Sequence, residues 1–250
     1  MVNWDIYETA KNKALRGGVA GASAMIFQVS SLMWLRTTMN YQYAHGGSFS
    51  LAWKTLYKQG GLLRFYRGYP FGIIQGPLSR FGDTAANMGI LELTKETNLP
   101  IALRTGLASL SAGTFRIIIM PIDALKTTLQ VQGKDAMKIL HHRISISGYR
   151  TLWNGSLATA SATMVGHYPW FMTYNYLNAF WPQYDGKVET LARQAGIGFS
   201  ASIVSDTCSN SLRVIKTGRQ TYHRPISYTE VTREIIKKDG LSGLFLRGLD

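Results

Sequence analysis

The chain is poor in cysteine and in acidic residues. Its one cysteine, Cys208, excludes a disulfide within the chain and any metal site built from a cysteine cluster. Only 14 Asp and Glu stand against 27 Lys and Arg, which gives a net charge of +13. The bases are dispersed and fall mainly at predicted helix ends, so they do not form the single patch typical of nucleic-acid binding. Basic helix ends suit a membrane with anionic lipid instead.

Motifs that carry enzyme chemistry are also lacking. The five histidines have no metal-ligand spacing, and the sequence has no phosphate-binding glycine loop, nucleophile elbow or paired carboxylates. The sequence therefore predicts neither an enzyme nor a bound cofactor or metal ion. Acidic residues near the N-terminus argue against a cleavable secretory signal.

Two long stretches carry no formal charge, residues 17–35 and residues 151–184. The second exceeds the roughly 20 residues that cross a bilayer as a helix. The mean hydropathy of −0.03 is low for a membrane protein. Helices that line a water-filled cavity need only one lipid-facing side, so the low value is compatible with several spanning helices.

A seven-residue pattern occurs three times at intervals of 90 residues, at 31–37, 121–127 and 211–217. An amide side chain follows each copy three residues later, as Asn40, Gln130 and Gln220. A second landmark runs from glycine to glycine at 61–68, 148–155 and 240–248. Such a period indicates one supersecondary unit in tandem. We expect a single domain over 1–250, with repeats at about 10–97, 98–186 and 187–250.

The repeated segments resemble the mitochondrial carrier family. Pro121, Asp123, Lys126, Asp239 and Gly240 match its signature outright, and the rest is present in altered form over nearly all 250 residues. The resemblance implies an all-α, multi-pass protein of the mitochondrial inner membrane. In this family each repeat has a kinked spanning helix, a short surface helix and a second spanning helix, and the three repeats surround a central cavity with threefold pseudosymmetry.

Five spanning helices and three surface helices follow from this pattern. We expect the spanning helices at about 12–41, 69–96, 101–132, 155–181 and 187–220, and the surface helices near 48–58, 134–145 and 227–238. The family pattern then requires a sixth spanning helix, which the sequence does not contain. Either the sequence is incomplete, or a five-helix protein has an open seam that a partner or lipid covers.

The resemblance also implies a gate on the matrix side, where acids and bases of the three repeats pair. Two of the three acid positions are changed. Asp123 keeps the acid in the second repeat, whereas Met33 and Arg213 occupy the equivalent positions of the first and third repeats. Like charges about 8 Å apart cost roughly 2 kcal/mol at an effective dielectric near 20. We expect this gate to resist closure unless an anion occupies it. Its predicted members are Arg36, Asp123, Lys126, Arg213 and Lys216.

The helix kinks of the family fall at Ser31, Pro121 and Ser211. Serine replaces the expected proline in two repeats. A serine hydroxyl can bond back to the carbonyl one turn earlier and bend a helix, so we expect all three kinks.

Substrate contacts are expected at polar or ionisable residues near the membrane midplane, where such groups are costly unless they function. Several have structural alternatives. Arg80 and Asp83 could neutralise each other, Arg116 could snorkel or pair with Asp206, and His167 could fill a polar niche. The predicted substrate-binding residues are Gln75, Arg80, Asp83, Arg116, Thr163 and His167.

The glycine landmarks predict lipid binding. Backbone N–H groups at helix N-termini attract phosphate, and the resemblance makes cardiolipin the expected lipid. A structural alternative is that these glycines only permit a turn. The predicted lipid-binding residues are Gly61, Arg67, Gly68, Gly148 and Gly155.

Two functions remain open from sequence. In the first, the protein transports a small anionic or zwitterionic metabolite by alternating access. In the second, it is a transport-inactive structural subunit of a larger inner-membrane complex, in which gating has been lost. The sequence does not identify the solute or the partner.

Overall fold

The computed structural model describes residues 4–249, and this part of the chain is helical with no strand. Short 3-10 helices lie on either side of the sixth α-helix, at Gly133–Asp135 and Gly148–Trp153. The prediction of an all-α protein is confirmed. The α-helices of the described residues are α1 (Trp4–His45), α2 (Phe49–Phe65), α3 (Tyr69–Leu93), α4 (Ile101–Ile118), α5 (Met120–Gln132), α6 (Ala136–Ser147), α7 (Ser156–Phe180), α8 (Lys187–Thr221) and α9 (Tyr228–Leu246).

The predicted spanning segments coincide with α1, α3, the pair α4 and α5, α7, and α8. Two of the three surface segments are longer than predicted. Helix α2 continues to Phe65 through non-helical backbone at Gly60 and Gly61, and α9 continues to Leu246 through non-helical backbone at Gly240. These two surface helices therefore include part of the glycine landmark that follows them, whereas α6 ends at Ser147, just before its landmark.

The three expected kinks have different outcomes. Helix α1 leaves helical geometry at Leu32, directly after Ser31, and the back-bonding hydroxyl is that of Ser30, which donates to the Ile26 carbonyl at 2.9 Å. The break between α4 and α5 falls just before Pro121, whose missing N–H is tolerated in the first turn of α5.

The kink expected at Ser211 is absent. Helix α8 keeps helical backbone from Lys187 to Thr221 without interruption. Serine retains its backbone N–H and has no ring to displace the preceding turn, so this residue alone does not break the helix.

Packing follows the order of the chain. Helix α1 lies along α3, α3 packs on α4, α4 on α7 and α7 on α8, and α8 also contacts α1. Glycine permits the close approach of α1 and α3. A methyl group at Gly17 would collide with the sulfur of Met88, and one at Gly21 would lie 2.9 Å from Cγ of Arg80.

The distribution of polarity is reversed from that of a water-soluble bundle. Large apolar side chains point outward, including Phe27 at 76% exposure and Phe199 at 70%, whereas Gln75, Ser79 and Asp83 on α3 are buried. By length and composition, the helix Ile6–His45 could cross a membrane. A pair of helices that begins with Leu103–Ile118 and is bent at a break gives a second possible span, if the two helices are counted as one. An apolar exterior around polar interior groups is typical of a membrane protein with a hydrated cavity.

Candidate functional site: a basic interior cluster

An ion pair joins α5 and α8 at the predicted gate. Lys216 Nζ lies 2.6 Å from Asp123 Oδ2, and Gln220 donates to the same oxygen from 3.1 Å. Asp123 is buried, so its charge depends on these partners rather than on water. Among the five predicted gate residues, this is the one ion pair between different helices that the described residues form.

A neutral contact replaces the ion pair that the first repeat would supply. Met33 occupies the acid position and is buried, with its sulfur 3.6 Å from Gln130 Nε2. Lys126 Nζ donates instead to Gln75 Oε1 on α3 at 2.8 Å, and Gln75 Nε2 donates to Ser79 at 2.8 Å. Gln75, predicted to bind substrate, lies beside a gate base.

Arg213, at the acid position of the third repeat in the predicted gate, contacts residues of its own helix instead of a neighbouring helix. Arg213 pairs with Asp206 at 2.6 Å and donates to Ser209 at 3.1 Å, all on α8. The alternative in which Asp206 pairs with Arg116 is therefore wrong. Arg36 on α1 is exposed to the interior and forms no hydrogen bond or ion pair with any residue of 4–249.

The repeated amides link the helices that carry the predicted gate residues. Asn40 donates to Gln130 Oε1 at 2.7 Å, and Gln130 Nε2 lies 3.2 Å from the Thr37 hydroxyl, which joins α1 to α5. Gln220 makes the corresponding link from α8 to Asp123. The sequence spacing identified these residues, but not their partners.

A second ion pair lies further along the interior. Arg116 on α4 donates to both carboxylate oxygens of Asp83 on α3, with Nε 3.1 Å from Oδ1. The alternative in which Arg80 neutralises Asp83 is wrong. Arg80 is exposed, and its stem packs against α1 at Gly21, so the two side chains leave α3 in different directions.

The two candidates on α7 are held by protein groups. His167 Nδ1 lies 3.1 Å from the Ser109 hydroxyl on α4, so the ring links two helices. Thr163 donates to the Thr159 carbonyl of its own helix at 3.0 Å. His167 borders the interior charges, since Asp83, Arg116 and Arg80 all act on it electrostatically.

These charged groups form one cluster with an excess of positive charge. Arg116 acts electrostatically on Arg36, Lys126 and His167, so the gate and the Arg116–Asp83 pair belong together. Each of the three acids pairs with one base. Three bases have no acidic partner among the described residues, namely Arg36, Arg80 and Lys126.

The glycines of the landmarks fall into two kinds. Gly68 and Gly155 have φ of +86° and +91°, and a Cβ there would lie 2.9 Å from the Lys126 carbonyl oxygen and 3.2 Å from that of Lys216. Turn geometry and close packing account for both. Gly61 and Gly148 also have positive φ, but a Cβ there would meet open space.

Sequence reasoning missed three buried arginines that cap helix ends. Arg64 donates to the carbonyls of Gln130 and Val131 at 2.8 and 2.9 Å, at the end of α5. Burial, together with the nearby charge of Arg67, lowers the pKa of Arg64 to about 10. Arg64 is therefore still charged at neutral pH, and a cation at a helix C-terminus is favourable.

The other two capping arginines do the same at α8 and α1. Arg143 donates to the Gln220 and Arg219 carbonyls, and burial lowers its pKa to about 10. Arg247 donates to the Tyr43 carbonyl at 3.1 Å and to Asp239 at 2.6 Å. A base within or beside each glycine landmark was the available signal, but it did not indicate burial.

The fold and its polar interior define a helical, membrane-type protein with a basic internal site. Comparison with known proteins shows which family part of the chain resembles. Residues 97–185 match the mitochondrial carrier protein family. An uncharacterized mitochondrial carrier of Schizosaccharomyces pombe is 29% identical over 160 residues. That alignment covers 56% of this chain and 37% of the relative, so the chain spans little more than a third of the relative's length.

The matched segment and this relative support membership of the mitochondrial carrier family. The family match falls on the segment that retains Pro121, Asp123 and Lys126 together. Members of this family are solute transporters of mitochondrial membranes and not enzymes.

Proposed function

We propose that the protein transports a small anionic metabolite across the mitochondrial inner membrane. The observation that carries this proposal is the basic interior cluster, in which Arg36, Arg80 and Lys126 have no acidic partner among the described residues. Ionisable groups inside a membrane protein are costly and mark solute pathways. Three uncompensated positive charges favour an anion over a zwitterion because a zwitterion brings no net negative charge.

The transport mechanism that we propose is alternating access in a carrier bundle built from the three repeats. The Asp123–Lys216 pair is the inter-helix ion pair of the gate, and Lys126 is held only by Gln75. Opening on that side would break one ion pair and a few hydrogen bonds. A gate with so few charged links needs little solute-binding free energy to open.

The solute would bind near Arg80, Asp83, Arg116 and His167. Asp83 fixes the guanidinium of Arg116 between α3 and α4, and Ser109 fixes the ring of His167. Arg80 is exposed and can move to the solute. Thr163 and Gln75 would contribute less, since their polar atoms already bond to protein groups.

Reconstitution tests this function directly. The purified protein is placed in vesicles, and exchange of labelled inorganic phosphate, dicarboxylates and amino acids is measured. We expect exchange of an anion, reduced at least tenfold by Arg80→Met, with Arg150→Met on the exposed 3-10 segment as the control. Exchange confined to cations or neutral solutes would contradict the proposal.

The second candidate function is that of a structural subunit in a larger inner-membrane complex. The observation that favours it is the gate, where Met33 and Arg213 replace acids and one inter-helix ion pair is formed. Native mass spectrometry of protein extracted in mild detergent separates the candidates. Recovery solely within a large assembly would support the subunit, and recovery as a lipid-bearing single chain would support the transporter.

Anionic lipid, with cardiolipin as the expected species, is the proposed membrane partner. A cavity of about 610 Å³ lies between α7, α8 and α9, next to Gly155, and is lined mainly by apolar groups such as Leu157, Leu212 and Ile236. Open space beside Gly61 and Gly148 and the base Arg67 suit a phosphate group. We expect Arg67→Glu to reduce cardiolipin retained in native mass spectra, and unchanged retention would contradict its role.

A further inference from the structure

The gate position between α1 and α8 has two arginines where the family pattern pairs an acid with a base. Arg213 stands at the acid position of the third repeat, and Arg36 at the base position of the first. The corresponding pair between α5 and α8 is Asp123 with Lys216, which lie 2.6 Å apart. One of three equivalent positions is therefore changed from attraction to repulsion.

The surroundings of Arg36 do not compensate for its charge. Helix α1, which carries Arg36, packs on α8, which carries Arg213, and the positive charge of Arg213 acts repulsively on Arg36. Asp206 and Tyr43 act more weakly, and Arg116 adds further repulsion. Asp206 already pairs with Arg213 at 2.6 Å, so its carboxylate is shared at best.

Side chains of the neighbouring helix do not supply the missing negative charge either. Lys126 on α5 acts on the same cluster as another base, and it is held by the neutral amide of Gln75. Like charges repel more strongly inside a protein than in water, because the effective dielectric constant there is lower. An oxyanion removes this repulsion and adds charge-assisted hydrogen bonds, since a guanidinium binds carboxylate or phosphate in a bidentate manner.

We propose that Arg36 and Arg213 form a binding site for a carboxylate or phosphate group, and that this anion completes the gate between α1 and α8. The bound group takes the place of the missing acid side chain. It is either the acidic group of the transported solute or a free anion. The proposal deepens the transport function and rests on it for the meaning of gate closure, but anion binding can be measured without transport.

The test is thermal unfolding of the full chain in detergent, titrated with inorganic phosphate or with succinate at constant ionic strength. We expect the unfolding midpoint to rise with at least one of these probes. In Arg213→Asp, which restores the acid of the family pattern, we expect a higher midpoint without added anion and at least a tenfold weaker response to it. Lys237→Asp, the same charge change on the exposed face of α9, is the matched control and should respond as the unmodified protein does.

A second pair of variants guards against misfolding. Arg213→Met copies the side chain that Met33 already supplies at the equivalent position of α1, and Arg36→Gln removes the other charge. Both should lose the response to anion. Response to phosphate alone would identify a free anion, and response to succinate alone an organic acid group; either supports the site.

The outcomes for site and transport are distinct. No midpoint shift with either probe, or an equal shift in the Arg36 and Arg213 variants, would overturn the anion site even if vesicles transport solute. A shift that these variants lose would support the anion site even if no transport is found, and the transport function alone would then fail.

Discussion

Asp123 is the residue on which the interior cluster depends most. Its carboxylate contacts Lys216 and Gln220 of α8, and Lys126 of its own helix acts on it electrostatically. A buried carboxylate with such partners matters for the stability of the fold, because its removal leaves the buried partner charge unpaired. Removing one member of a buried pair typically costs 3–5 kcal/mol, whereas an exposed pair contributes about 0–1 kcal/mol.

We therefore expect Asp123→Asn to lower the free energy of unfolding in detergent by about 3 kcal/mol. Glu8→Gln is the control, because Glu8 and Lys11 form an exposed pair 3.3 Å apart on α1. The control should change stability by less than about 0.5 kcal/mol. Equal small effects in the two variants would show that the Asp123–Lys216 pair adds nothing to the folded state.

The N-terminus of α9 gives a pH-dependent prediction. Ser227 and Glu230 form a reciprocal capping box, and hydrogen bonds from Ser227 lower the pKa of Glu230. The charged carboxylate is therefore favoured in the folded helix, so its contribution is present above the ordinary glutamate pKa. That contribution is lost as the pH falls through the lowered value.

Hydrogen exchange of α9 between neutral and acidic pH measures this effect. We expect faster exchange at residues 228–232 on acidification, once the intrinsic pH dependence of exchange is corrected. Glu230→Gln should give the faster exchange at all pH values, while Glu234→Gln, an exposed change on the same helix, should behave as the unmodified chain. Identical pH profiles in all three proteins would contradict the role of Glu230.

At the scale of single residues, the sequence indicated which polar residues lie in the interior cluster better than it predicted their partners. The spacing identified Arg36, Asp123, Lys126 and the amide positions, because those residues recur at a fixed interval. It did not predict that Asp83 pairs with Arg116. That contact depends on the rotation of α3 against α4, and a favourable spacing of three residues along one helix does not determine it.

Close contacts between helices depend on glycines at the element scale. Gly155 begins α7 in the left-handed region and lies against the Lys216 carbonyl of α8. Gly198 lies within α8 in helical backbone, with open space where a side chain would begin. Replacement of glycine by alanine should therefore have opposite effects on the free energy of unfolding at the two positions.

We expect Gly155→Ala to lower the free energy of unfolding by about 1–3 kcal/mol, from strain at positive φ and the short contact. Gly198→Ala should raise it by about 0.5–1 kcal/mol, because alanine is the better helix former. Thermal unfolding in detergent measures both. A stabilising Gly155→Ala would show that α7 can shift away from α8 without cost.

The positions of the elements were largely predictable, because apolar runs and glycine landmarks bound them. The kinks in the helices were less predictable. Pro121 lies in the first turn of a new helix, where its missing N–H is tolerated, whereas Ser31 and Ser211 have the same side chain and different outcomes. A serine permits a bend without imposing one, so packing against neighbouring helices decides.

At the scale of the whole molecule, the three capping arginines connect the surface helices to the ends of α5, α8 and α1 in turn. Each of these side chains is at most 6% exposed and donates to backbone carbonyls of a helix distant in sequence. Hydrogen bonds from a charged donor contribute about 1.5–3 kcal/mol. No sequence period identifies Arg64, Arg143 and Arg247, because Arg64 and Arg247 occupy different positions within their landmarks and Arg143 precedes its own.

We expect Arg64→Met, Arg143→Met and Arg247→Met each to lower the free energy of unfolding by about 1.5–3 kcal/mol. If the ring of contacts acts as a unit, the loss in a double variant differs from the sum of the single losses by at least 0.5 kcal/mol. Arg233→Met, an exposed change on α9, is the control. Additive losses within error would mean that each arginine acts locally.

The contact of Arg247 with Tyr43 spans 204 residues, whereas Arg64 and Arg143 reach across 66 and 77 residues to the carbonyls of Gln130 and Gln220. During synthesis, α5 and α8 can receive their caps soon after they emerge. The C-terminal end of α1 receives its cap later, since its partner arginine lies 204 residues further along the chain. Until then the C-terminal end of α1 is open, so among these three capped helices α1 depends longest on protection during synthesis.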